Sequence, residues 1–168
     1  MKRIFFIFPL FLLALLCLPC KMSAQSSSIR GFNEVSATIG VGSNVGGSAT
    51  PNYSVLYTRG LHFGDYFSAG LSGGYDYGLS AQLLLRGNLP FGKDARTGAY
   101  HSGQGGAGFL MNGTIPILSV STGIFHRFKN DTQLIVGPMV KWGYMEVDSV
   151  ENDKAWGGAF GLRLGFMF

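Results

Sequence analysis

The chain has 168 residues, 26 of them glycine and 14 phenylalanine, and 13 Lys+Arg against 9 Asp+Glu give a formal net charge of +4. Lys2, Arg3 and Lys21 lie within the first 24 residues, so beyond them 10 basic residues face 9 acidic ones, a net of +1 that removes any charge-based argument for nucleic-acid binding. Both cysteines, Cys17 and Cys20, fall in the same opening stretch, which leaves the rest of the chain without thiols for a disulfide or a metal.

That opening stretch has the plan of an export signal. Lys2 and Arg3 precede the uncharged run IFFIFPLFLLALLCLPC, and KMSAQSSS follows it. Pro9 and Pro19 interrupt the run, and small polar residues rather than a stop-transfer block come next, which favours a cleaved signal over a membrane-anchoring helix. The expected cut follows Ala24. A lipid on Cys20 or Cys17 is disfavoured, because Pro19 and Leu16 stand where a small residue is needed. Residues 25–168 then form one domain. Glycine disfavours helix and aromatics favour strand, and no helical spacing of apolar residues follows Ala24, so the expected class is all-β.

Eight alternating segments follow in order. GFNEVSATIGVG sets Val35, Ala37, Ile39 and Val41 against Glu34, Ser36 and Thr38. NYSVLYTRGLHF aligns Tyr53, Val55, Tyr57, Leu61 and Phe63, and Gly64–Asp65 makes a tight turn. YFSAGLSGGYDY aligns Phe67, Ala69, Leu71, Tyr75 and Tyr77, and LSAQLLLRGNL aligns Leu79, Ala81, Leu83, Leu85 and Leu89. The fifth segment, near 98–112, is glycine-rich and alternates weakly. LSVSTGIFHRF and TQLIVGPMVKWGY are the sixth and seventh, joined through KND, and VDSVENDK leads to the last strand from Trp156. Arg59 breaks the alternation of the second segment and predicts a bulge near Gly60 or a shifted register. Pro138 predicts a bulge or an unpaired position in the seventh.

Up-and-down connection of these strands sorts the aromatic residues by strand end. With the first strand starting on the periplasmic side, Tyr53, Tyr75, Tyr77, Trp142, Tyr144 and Trp156 fall at outer ends of the apolar face, and Phe63, Phe67, Phe166 and Phe168 at inner ends. Two aromatic girdles around an aliphatic band are the mark of a bilayer-spanning barrel. From Trp156 to Phe168, at ~3.3 Å per residue and ~40° tilt, the strand rises about 30 Å, enough for a ~25 Å apolar band and its girdles. A soluble β-sandwich also alternates but does not predict this segregation.

The last strand carries Phe160, Leu162, Leu164, Phe166 and Phe168 at every second place. In this, and in the architecture of residues 31–168, the chain resembles the small eight-stranded outer-membrane β-barrel proteins of Gram-negative bacteria. The resemblance implies an antiparallel up-and-down transmembrane barrel, a bacterial outer-membrane location among lipid and lipopolysaccharide, and recognition of those five residues by the barrel-assembly machinery. Where that pattern usually has glycine five places before the final Phe, Arg163 stands here between Gly161 and Gly165.

The same alternation turns Glu34, Gln82, Arg86, Lys141 and Arg163 inward. An eight-stranded barrel is filled by its side chains, so Glu34, Arg86, Lys141 and Arg163 are expected to pair in one internal network that plugs the barrel. A small cation-repelling pore is the lesser alternative. Lipid A-modifying enzymes exist on this architecture, but the deacylase type carries His and then Ser two places on, whereas His126 is followed by Arg127 and Phe128. Glu146, Asp148, Glu151 and Asp153 make an acidic loop without calcium-loop spacing, and no phosphate-binding glycine loop stands out. The sequence therefore predicts a non-enzymatic outer-membrane barrel without catalytic residues, cofactor or metal, serving a structural or loop-mediated surface-binding role. Its alternatives are an accessory subunit of a larger membrane complex, packed through the glycine-rich fifth strand, and a lipid A-modifying enzyme.

Overall fold

The computed structural model describes residues 29–43, 49–92, 96–110, 113–146 and 154–168. The predicted signal segment and the loop residues Asp148, Glu151 and Asp153 lie outside them, as do the side chains of Tyr144, Glu146 and Trp156. Eight strands follow one another: β1 (Ile29–Ser43), β2 (Ala49–Phe63), β3 (Phe67–Asp76), β4 (Leu79–Pro90), β5 (Thr97–Leu110), β6 (Gly113–Arg127), β7 (Gln133–Glu146) and β8 (Lys154–Met167). Each pairs antiparallel with the next and β8 pairs with β1, so the sheet closes into a barrel with chain-order neighbours throughout. The closed all-β barrel is the expected class. The largest boundary difference is in β6, which begins five residues before the predicted Leu118 because Thr114–Ile117 continue the ladder with β5.

The register fixes the stagger of the barrel. Following hydrogen-bonded neighbours from Asn33 through Arg59, Leu71, Leu83, Gly105, Leu118, Trp142 and Gly158 returns to β1 at Ser43, ten residues along from Asn33. Such a stagger on eight strands tilts them by about 40° and leaves room inside for side chains only. Below, we call the end that carries Phe168 and the turns 64–66 and 128–132 the lower end, and its opposite the upper end.

Burial alternates with period two and is inverted relative to a soluble barrel. Val35, Ile39, Val41, Leu71, Leu79, Leu83, Leu162 and Leu164 are exposed on the outside, while Glu34, Thr58, Asp76, Gln82, Arg86, Asn88, Lys141 and Arg163 are buried inside. No backbone edge remains unpaired across the middle of the barrel, the condition for crossing hydrocarbon with strands. This is the architecture of a transmembrane β-barrel.

Glycines let the sheet coil tightly enough to close. Gly40 opposes Gly161 and Gly60 opposes Gly70 across strand pairs. A Cβ on Gly161 would come within 2.9 Å of the Gly40 Cα, and one on Gly60 within 2.7 Å of the Gly70 Cα. These are close approaches of backbone to backbone at sharply bent parts of the sheet.

One sequence expectation changes here and one is met. The β1–β2 register runs unbroken from Ile29↔Phe63 to Ser43↔Ala49, so there is no bulge at Gly60 and Arg59 stays on the outer face. Arg59 lies four positions above Phe63, about 10 Å along the barrel axis, within snorkelling range of the interface for so long a side chain, which lowers the cost from the ~2–4 kcal/mol of a midplane charge toward ~0–1. At Pro138 one of the two expected outcomes holds. The β6–β7 ladder loses its rungs between Ser121↔Met139 and Ile124↔Val136 but resumes in the same register, so the unpaired position is present without an inserted residue.

Candidate functional site

The filled lumen holds the chemistry of the molecule. Alternation in β1, β4, β7 and β8 points Glu34, Gln82, Arg86, Lys141 and Arg163 inward, all five buried. They do not form one network. Glu34 sits between two guanidiniums, with Arg86 Nη1 2.7 Å from Oε2 and Arg163 Nη2 donating to Oε1 at 2.9 Å. Arg163 also donates to Gln104 Oε1 at 2.8 Å and, at 3.4 Å, to the Ser36 hydroxyl.

Lys141 belongs to a second cluster nearer the upper end. Its ammonium makes a short ion pair with Asp76 and donates to Asn52 Oδ1 at 3.3 Å, and Gln82 Nε2 donates to the other Asp76 oxygen at 2.9 Å. The separation follows from the stagger: the rung through Lys141 and Ala159 meets β1 at Gly42, eight residues along from Glu34. Asp76 and Gln104 were missed as lumen residues. The signal was present in Asp76, which shares the phase of Ser68 and Ser72 in β3. It was faint in Gln104, because β5 carries small or polar residues on both faces.

Hydroxyl pairs fill the remaining space. Thr58 and Ser72 lie 2.7 Å apart, as do Ser102 and Ser121. Apolar clusters of Phe32, Leu84 and Met167, and of Tyr100, Phe125 and Ile135, close the lower lumen.

Of the aromatics sorted by strand end, Tyr53 and Tyr75 stack at 5.6 Å on the outer face near the upper end, and Trp142 is half-buried beside Leu118 on the same face. Phe63 and Phe67, with ring centroids 5.8 Å apart, and Phe166 and Phe168, 6.2 Å apart, are exposed at the lower end. Tyr77 departs from the expected outward position. It occupies the β3–β4 turn at φ 60° and its half-buried ring lies 5.1 Å from the Lys141 ammonium, because the left-handed backbone of the two-residue turn aims it over the lumen mouth. Burial, with Asp76 adjacent, pushes the Tyr77 phenol above its usual range.

Phe160, Leu162, Leu164, Phe166 and Phe168 all face outward on the strand that closes the barrel, and Phe168 exchanges two 2.8 Å backbone hydrogen bonds with Asn33.

The histidines do not gather a catalytic set at the upper rim. His62 Nδ1 is 2.7 Å from Ser68 Oγ, yet this pair lies at the lower end with Ser68 fully buried, and Nε2 abuts Met167 Sδ at 3.1 Å. His126 lies on the outer face beside Thr97. Among the described residues no group of three or more His, Cys, Asp or Glu is placed to hold a metal.

No protein-family model and no curated protein matches the chain. Among solved structures it is similar to the crystal structure of Neisserial surface protein A (NspA), with 16% sequence identity, a TM-score of 0.50, and coverage of 84% of this chain and 99% of that one. The likeness is one of fold. It places this chain's eight-stranded barrel beside a solved barrel of nearly the same extent, and at that identity no residue role passes from one to the other.

Proposed function

We propose that the chain is a non-catalytic integral outer-membrane protein, exported through the cleaved segment 1–24, whose barrel anchors short surface loops. The carrying observation is the inversion of faces: aliphatic and aromatic side chains outside, ion pairs and hydroxyls inside, with Arg86, Lys141 and Arg163 each no more than 2% exposed. Fat-facing exteriors need lipid, and a lumen filled by buried side chains conducts nothing. Under this reading Tyr53, Tyr75 and Trp142 mark one membrane interface, and Phe63, Phe67, Phe166 and Phe168 the other. Phe160, Leu162, Leu164, Phe166 and Phe168 serve as the strand that the assembly machinery engages. Lipopolysaccharide then surrounds the upper end, with residues 44–48 and 147–153 as the longer connections toward any partner.

The test is membrane fractionation with gel mobility before and after boiling, for the full chain and for a form lacking Phe168. A fast-migrating unboiled band from the outer-membrane fraction, weakened without Phe168, is the expected result, and planar-bilayer recordings should show no steady conductance. A soluble periplasmic protein of single mobility contradicts the proposal. One observation favours a second reading, an accessory subunit: on the outer face of β5, Gly103, Gly105 and Ala107 follow His101 as a run of small residues fit for close packing against another membrane protein. Cross-linking from a cysteine at Gly105 in intact membranes separates the two, since only the subunit yields a discrete heavier adduct.

A further inference from the structure

The lumen is not electrically balanced. Among the described residues its buried side chains comprise three cations, Arg86, Lys141 and Arg163, against two anions, Glu34 and Asp76. Asp76 neutralises Lys141, which leaves the single carboxylate of Glu34 to serve both guanidiniums. Arg163 gains Gln104 and Ser36 as neutral acceptors. Arg86 gains none: its Nε and Nη2 have no hydrogen-bond partner, and its remaining neighbour is the face of Tyr100, 5.7 Å from the ring centroid.

The groups next to Arg86 are equally unpartnered. Asn88 is the next inward residue on β4, and Tyr100 is its partner across the β4–β5 ladder. Asn88 Nδ2 and Oδ1 and the Tyr100 hydroxyl are buried without a partner, in residues 1% and 0% exposed. Leaving so many buried polar atoms unpaired is costly. Four of the five atoms are hydrogen-bond donors, and they adjoin the surplus positive charge. A ligand that accepts several hydrogen bonds and carries one negative charge answers both deficits, and the narrow lumen restricts it to a small one.

We propose that the lower lumen binds a monovalent inorganic anion of halide size, held by the Arg86 guanidinium, the Asn88 amide and the Tyr100 hydroxyl. Held there, the anion completes the neutralisation that Glu34 only half supplies. It acts as a structural ligand and has no route of conduction, since Phe32, Met167, Phe125 and Ile135 pack at that end of the lumen.

The full chain, folded in detergent, is tested with bromide as the probe. Crystals grown in sodium bromide should show an anomalous peak within contact distance of Arg86 Nε or Nη2. Unfolding temperature should rise saturably with bromide or chloride and not with gluconate, too large to enter, at matched ionic strength. In Asn88→Leu and Tyr100→Phe the halide midpoint should rise about tenfold, the loss of one hydrogen bond to a charged group. Non-anomalous water density beside Arg86, bromide only at the barrel surface, or equal unfolding temperatures in halide and gluconate each reject the site. The bromide measurements on the unaltered chain stand even if both variants fail to fold.

Discussion

The two halves of the lumen solve the same problem with different chemistry. The upper cluster pairs one carboxylate with one ammonium and surrounds them with the amides of Gln82 and Asn52. The lower cluster divides one carboxylate between two guanidiniums, only one of which finds further acceptors. A lysine that loses its counterion can release its proton, whereas an arginine cannot. The lower cluster is therefore the one whose failure the barrel cannot relieve, and the upper one is expendable if removed whole.

Substitutions that interrogate this contrast should differ widely in effect. Glu34→Gln strips both guanidiniums of their counterion and should cost about 3–5 kcal/mol, read as loss of the fast-migrating band at lowered urea concentration. Asp76→Asn should cost less, about 2 kcal/mol in the same titration, because Lys141 can release its proton when its counterion is lost, as Arg86 and Arg163 cannot. Equal costs for the two would break the contrast. Replacing the upper pair together, Asp76→Leu with Lys141→Met, should return stability to within about 1 kcal/mol of the parent, since an apolar pair of similar size avoids desolvation. Smallest of all, Arg59→Leu should shift stability by no more than about 1 kcal/mol, which sets the charge on the outer face apart from the charges within.

The outer face was legible in the sequence because period-two alternation has only one interpretation when large apolar residues recur for the length of a membrane. Ile39, Leu71, Leu83 and Leu162 were placed by that rule alone, and so were the inward Glu34, Arg86 and Arg163. What the rule cannot supply is which inward residues meet. Lys141 was grouped with Glu34 because both face the lumen, but partners across a barrel are chosen by stagger, a property of the whole closed sheet that no single strand encodes. The donor cluster of Asn88 and Tyr100 was overlooked for a related reason, since a neutral amide and a phenol look ordinary until the lumen around them is counted for charge. Strand β5 stayed indistinct because Ala99, Gly103 and Gly105 outside contrast little with Ser102 and Gly108 inside.

The seam between first and last strands also measures the membrane. Among the described residues β1 pairs with β8 from Glu34 to Ser43, and Phe168 adds Asn33, so backbone closes the seam over that stretch. Bare strand edges are not tolerated in hydrocarbon. The closed stretch from Asn33 to Ser43 is ten residue steps, at ~3.3 Å and ~40° tilt about 25 Å, enough to cross an oily layer with its backbone paired. That length equals the ~25 Å apolar band of outer-membrane barrels, and Arg59, whose ladder partner is Asn33, lies toward its lower end.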